Sequence, residues 1–278
     1  MAPGDSQDRS AWVGLWRRVD AAASRSTPSS STTPGEGGEP EAEAGEGGPG
    51  LRGLEGTIVD RLVRRVPEDD LLFVSSSMPV RDLDTFGLHR PLPLTVLGNR
   101  GASGIDGIPS TAAGASFGSG RRVVAVLGDL AFLHDAGGLL GLGAAGERVL
   151  LVVIHNDGGG IFHLLPIREY EPAFTPFFAT PHGRGMEGLA HFHGLEFRSL
   201  EFRSGVARSG GGGAPVPELD EALQWLLGRP GSGILEIRTD REENRRLRGE
   251  ILTAAGRNAL KAVESGNAGR GLPGPDEG

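Results

Sequence analysis

No cysteine occurs among the 278 residues, so neither a disulfide framework nor a thiolate metal site is open to this chain. Lysine is almost missing as well: Lys261 stands alone and arginine supplies the other basic side chains. The formal charge is −8, without the basic footprint that nucleic-acid binding requires. No apolar run approaches the ~20 residues of a membrane span. The opening MAPGDSQDRSAW lacks the basic and apolar regions of a secretory leader. No GxGxxG follows a strand near the start, which argues against a nicotinamide-binding protein.

Glycine is abundant instead, with 47 residues, well above an average usage of about 7%. Composition divides the chain into four parts. Residues 1–23 contain AWVGLWRRVDAAA, with Trp12, Leu15, Trp16 and Val19 at helical spacing, and read as an amphipathic helix. Residues 24–53 are Ser, Thr, Pro, Gly and Glu with few apolar side chains, the composition of a disordered linker. Residues 54–255 carry the periodic patterns of a folded domain, and 256–278 read as a disordered tail.

The folded part is organised around residues 123–166. Val123 to Leu127 and Val149 to Ile154 are short, β-branched apolar runs that do not alternate, as expected of strands buried on both faces of a parallel sheet. Residues 130–146 are long enough for a crossover helix, so the unit reads strand, helix, strand. Gly128 and Asp129 close the first strand, and His155, Asn156, Asp157 and a glycine run close the second. Asp129 and Asn156 should therefore meet at the carboxyl edge of adjacent strands, where open α/β sheets bind ligands. A carboxylate, an amide oxygen and a carbonyl from a glycine turn are hard oxygen donors suited to Mg²⁺ and a phosphate.

Gly128-Asp129, then Asn156 at a distance of 27 residues with Gly158 two places on, resembles the thiamine diphosphate (ThDP) motif. In that family the positions of Asp129, Asn156 and the Gly158 carbonyl hold the metal. Leu130 and His155 stand at variable places of the motif, so His155 is read as a packed residue and not a ligand. Gly-Asp-Leu, the run Asn-x-Gly-Gly-x-Ile-Phe-x-Leu-Leu-Pro at 156–166 and Gly98-Asn99-Arg100-Gly101-Ala102-Ser103-Gly104-Ile105-Asp106-Gly107 together narrow the match. They are similar to the 2-succinyl-5-enolpyruvyl-6-hydroxy-3-cyclohexene-1-carboxylate (SEPHCHC) synthase family, over roughly residues 54–255.

The rest of the chain is read in that light. Ile58, Leu62 and Val66 give a helix stopped by Pro67, and Leu71 to Val74 a buried strand. Ser75-Ser76-Ser77-Met78-Pro79-Val80-Arg81 follows; by residue type it could be only a helix cap, whereas the resemblance makes Ser77 and Arg81 part of a substrate loop. Strand 94–97 leads to Arg100, which the resemblance turns toward substrate, with Ile105 supporting a bent cofactor. Ile161, Phe162 and Leu165 have the spacing of core residues, and the resemblance places all three instead on the cofactor and substrate pocket wall. Residues 167–193 read as a capping segment. His182, His191 and His193 show no neighbouring carboxylate pattern and are read as surface or packing residues. Further strands are expected at 195–197 and 234–237, with helices at 217–227 and 240–254, the last capped by Thr239.

The expected fold is a doubly wound parallel sheet with helices on both faces. The resemblance implies an enzyme using ThDP with Mg²⁺, or Mn²⁺ in its place, that decarboxylates 2-oxoglutarate and adds the succinyl-semialdehyde unit to isochorismate in menaquinone or phylloquinone synthesis. It implies a homo-oligomer in the cytoplasm, or in the plastid of a photosynthetic eukaryote. It also implies a pyrimidine-binding domain, from another chain or a missing segment, to supply the activating glutamate; the helix at 1–23 then reads as a connector from the upstream domain. The competing readings are another ThDP carboligase such as an acetolactate synthase, and a fragment that is not catalytic by itself.

Overall fold

A computed structural model describes residues 52–87, 93–143, 148–203 and 216–268. The expected connector helix, nearly all of the linker, the glycine-rich stretch of sequence at 209–213 and residues 269–278 lie outside the described residues.

Six parallel strands form one sheet: β1 (Leu71–Val74), β2 (Thr95–Leu97), β3 (Val123–Gly128), β4 (Val149–His155), β5 (Glu196–Glu201) and β6 (Gly233–Arg238), in the order β2-β1-β3-β4-β6-β5. The continuous apolar runs have a simple physical origin. Successive side chains of a strand point to opposite faces, and here each face carries its own core. Val124, Val126, Leu150 and Val152 point to one side, where α1 (Glu55–Arg65) and α6 (Pro217–Leu227) cover them with Ile58, Leu62, Leu219 and Leu223. Val123, Ala125, Leu151 and Val153 point to the other, under α3 (Ile108–Ser119) and α4 (Asp129–His134) through Ile108, Ala112 and Phe132. The doubly wound architecture is as expected.

Two further helices bear on the site, and α5 (Glu187–Phe192) completes the set in chain order. Helix α2 (Met78–Phe86) follows β1, and α7 (Arg241–Ala268) follows β6. Helix α7 is tied beneath the site by Arg248, whose guanidinium hydrogen-bonds the fully buried Asp82 and lies 5.1 Å from the centroid of the Phe86 ring.

Three expectations need correction. The crossover between β3 and β4 is not one helix: α4 ends at His134 and a 3₁₀ segment spans Ala136–Gly143. Glycines 137, 138, 141 and 143 have little tendency to continue an α-helix. Asp135 is also drawn off, accepting both the backbone N–H (3.0 Å) and the hydroxyl (2.9 Å) of Ser110. Helix α7 passes Gly256 and continues to Ala268, so part of the expected tail is helical. Its cap is Asp240, whose side chain accepts the Glu243 N–H at 2.8 Å, while Thr239 turns inward.

Candidate functional site

The chain leaves β1 for β2 on one side and returns to β3 on the other, so the carboxyl edge between β1 and β3 is a topological switch point, the usual ligand crevice of such sheets. A cavity of about 160 Å³ opens there. Ser77 and Ile105 line it, together with Gly128, Asp129 and Leu130 from the end of β3 onward and Asn156, Gly158, Ile161 and Phe162 after β4. The residues that the sequence put at the cofactor are thus brought to one cavity, with the exception of Leu165, which is 47% exposed and does not line it.

Asp129 follows β3 and Asn156 follows β4, and pairing of Gly128 with Ile154 brings Asp129 level with His155, one residue from Asn156. The Asp129 carboxylate is 2% exposed; one oxygen accepts the Leu130 N–H at 2.7 Å and the other the Gly158 N–H at 2.9 Å. Asn156 donates its Nδ2 to Glu55 at 2.9 Å, while its Oδ1 is buried with no hydrogen-bond partner in the protein. A buried acceptor left unsatisfied costs about 1–3 kcal/mol. Beside an ionisable carboxylate and a glycine turn, such an oxygen fits a hard divalent cation.

The turn itself is built for close approach. Gly158 has φ +136°, and a Cβ there would lie 2.1 Å from the Ala179 carbonyl oxygen; Gly159 donates to that same oxygen at 2.7 Å. The segment after Pro166, with its π-helical turn at Thr175–Ala179, thus folds over the glycine run, and Phe178 meets Phe162 edge-on at 5.6 Å.

His155 is 3% exposed, and its Nδ1 lies 2.7 Å from Glu236 Oε1. Burial pushes the Glu236 carboxyl up, but hydrogen bonds from His155 and Ser199 outweigh this and hold it below its ordinary value. His155 is therefore packed, as read. His182 corrects the sequence reading. Its Nε2 is 3.3 Å from Asp129 Oδ2, and its backbone N–H donates to Asp157 at 3.0 Å. Asp129, His155 and His182 offer ligand atoms within 4.8 Å of one another. The Arg184 N–H donates to His182 Nδ1 at 3.1 Å, which leaves the neutral ring's proton on the nitrogen facing Asp129. The two imidazoles also stack, with centroids 5.2 Å apart and 14° between planes.

Ser77 and Arg81 follow β1 and Arg100 follows β2, all at the carboxyl edge of the sheet. Ser77 has φ +72° and lines the cavity; Arg81 Nη1 donates to the Ser77 carbonyl at 2.6 Å, and Arg100 Nη1 to the Ser76 hydroxyl at 3.3 Å. Both arginines are exposed, neither lines the cavity wall, and among the described residues neither forms a salt bridge. Asp82, the residue after Arg81, pairs instead with Arg248.

Three contributors escaped the sequence reading. Glu55, at the start of α1, lines the cavity and is 1% exposed. Burial, then the charge of Asp82, raises its carboxyl to about 7 against hydrogen bonds from Asn156 and Thr239. Arg241 donates to the carbonyls of Asn156 (3.1 Å) and Asp157, pinning the turn from α7. Thr239 donates to Glu55 at 2.9 Å. The only sequence signal for Glu55 was an acidic residue in a first helical turn, an ordinary dipole effect.

The fold resembles that of solved ThDP enzymes. Benzoylformate decarboxylase from Polynucleobacter necessarius aligns with TM-score 0.51 at 18% identity, covering 67% of this chain and 33% of that one. A Mycobacterium smegmatis protein assigned to the thiamin diphosphate-dependent enzymes aligns with TM-score 0.50 at 19% identity, covering 67% and 32%. The domain therefore has the α/β ThDP-binding fold. No family model matches the sequence. Curated relatives do: SEPHCHC synthase of Rubrobacter xylanophilus is 45% identical over 205 residues, 73% of this chain and 33% of that protein. Those of Halobacterium salinarum (42% over 195 residues, 70% and 31%) and Natronomonas pharaonis (53% over 143 residues, 51% and 24%) bear the same name. Over these residues the chain belongs to the SEPHCHC synthase family, matching the C-terminal portion of its members. It spans about a third of the length of the first two.

Proposed function

We propose that this chain is the diphosphate- and metal-holding part of a SEPHCHC synthase, which decarboxylates 2-oxoglutarate and adds the succinyl-semialdehyde unit to isochorismate in menaquinone or phylloquinone synthesis. The observation that carries the reading is the buried, unpartnered Asn156 Oδ1 beside Asp129 in a cavity at the sheet's switch point. Asp129, Asn156 and the Gly158 carbonyl would hold Mg²⁺, or Mn²⁺ in its place, and through it the diphosphate of ThDP. When bound, the cofactor supplies the carbon nucleophile and electron sink for decarboxylation and carbon–carbon bond formation.

The chain's own residues do the rest. Gly128 and Leu130 present backbone to the diphosphate side, and Ile105, Ile161 and Phe162 exclude water with an apolar wall. Arg81 and Arg100, which form no salt bridge among the described residues and hydrogen-bond at Ser77 and Ser76, are placed to take substrate carboxylates, where a guanidinium's planar fork binds two oxygens at once. A pyrimidine-binding domain would supply the activating glutamate in an oligomer.

The test is reconstitution. Mixed with a pyrimidine-binding domain of the family, the chain should turn over 2-oxoglutarate with isochorismate, and the chain alone should not. In the reconstituted enzyme Arg81→Lys or Arg100→Lys should lower kcat/KM by roughly tenfold to hundredfold, the worth of one charge-assisted contact. Turnover of pyruvate in place of 2-oxoglutarate would move the assignment to another ThDP carboligase.

A further inference from the structure

We infer that Glu55 is the positioning residue that sets which end of the Asn156 amide faces the metal; the inference rests on the proposed role of Asn156 as a ligand. An asparagine side chain ends in an oxygen that can coordinate a cation and an NH₂ group that cannot. Rotation about its last torsion is broad and roughly two-fold, so nothing intrinsic to the residue selects the productive face. The protein must do so.

Glu55 meets that need from within the fold. Its Oε1 accepts the Asn156 Nδ2 at 2.9 Å and the Thr239 hydroxyl at 2.9 Å. The residue is 1% exposed, and its own backbone N–H donates to Asn244 Oδ1 at 3.0 Å, so the start of α1 is fastened to α7 and the carboxyl group is held in place. Space restricts the amide further: a Cβ at position 160 would lie 2.6 Å from Asn156 Nδ2, so the amide occupies room that only a glycine leaves. With Nδ2 engaged, Oδ1 is the atom left over, buried and unpartnered. Reversing the amide would set its oxygen against an acceptor and turn two N–H groups toward the cation.

Acceptance by one carbonyl-type oxygen is all this requires, and a glutamine at position 55 retains such an oxygen. The conservative variant therefore separates orientation from charge.

Binding of Mn²⁺ alone, followed by the paramagnetic resonance signal of the free ion, reads the effect without enzyme turnover. Glu55→Leu should weaken Mn²⁺ binding about 10- to 100-fold, the usual consequence of losing a partner that orients a metal ligand. Glu55→Gln should restore most of it, with both variants checked for folding by thermal unfolding. A folded Glu55→Leu chain that binds Mn²⁺ as tightly as the wild type overturns the inference. Asp129→Ala, measured alongside, keeps the two claims apart. Loss there with none in Glu55→Leu sinks the role of Glu55 only, whereas full binding in Asp129→Ala sinks the metal reading itself. A second measurement needs no variant: in the wild-type chain the Asn156 side-chain amide protons should exchange with water far more slowly than those of an exposed asparagine. Exchange at the exposed rate overturns the inference.

Discussion

Alanine at two glycines of the site should have opposite consequences. Gly158 sits at φ +136°, a backbone state that costs a residue with a side chain about 1–3 kcal/mol. The added Cβ would also lie 2.1 Å from the Ala179 carbonyl oxygen, and relieving that clash by moving backbone costs about another 1–3 kcal/mol. Gly158→Ala should therefore destabilise the chain by about 2–6 kcal/mol, a large part of a typical 5–15 kcal/mol. Gly128 differs on both counts. Its φ is −81°, and a Cβ there meets no atom within 4 Å, because it opens onto the cavity. By the protein's own contacts Gly128→Ala should leave stability unchanged or raise it by up to about 1 kcal/mol. Its effect should fall on the ligand, whose diphosphate needs the space. Urea unfolding gives the stabilities and calorimetry with ThDP and Mg²⁺ the affinity. Gly158→Ala within about 0.5 kcal/mol of wild type would refute the strain argument; unimpaired cofactor binding by Gly128→Ala would refute the close approach.

Two other outcomes follow from buried charge. The Glu55 carboxyl is raised from its ordinary 4.5 to about 7, chiefly by burial, so the folded chain holds this proton more tightly than the unfolded chain does. That contribution is fully present below about pH 4.5 and is lost as pH rises through about 7, by roughly 3 kcal/mol in all. In chelator-containing buffer the unfolding free energy of the wild type should fall from about pH 5 to about pH 8 relative to Glu55→Gln; parallel curves would contradict it. Arg248→Leu strands Asp82, which is fully buried, and should cost about 3–5 kcal/mol by urea unfolding, whereas a change below about 1 kcal/mol would show that the pair is not needed.

The parts legible in the sequence were those whose cause is local. Val123–Leu127 and Val149–Ile154 announce themselves because a strand covered on both faces has no polar side to alternate with, and they became β3 and β4 within a residue. Asp129 and Asn156 were legible because one strand–crossover–strand unit brings both to the same edge. The environment of that pair was not. Glu55 reaches Asn156 across 101 residues of sequence, and His182 reaches Asp129 across 53, contacts that no local periodicity encodes. The broken crossover shows the reverse failure: enough length for a helix was present, but glycine content and the capture of Asp135 by Ser110 decided the outcome.

The central claim is that Asp129 and Asn156 hold the cation that anchors a diphosphate, and the affinity of the chain for ThDP with and without Mg²⁺ tests it most directly. Calorimetry should show binding that depends on the cation in the wild-type chain and none in Asp129→Ala, with thermal unfolding establishing that the variant is folded. Equal affinity in the two, or wild-type binding indifferent to Mg²⁺, would contradict the account.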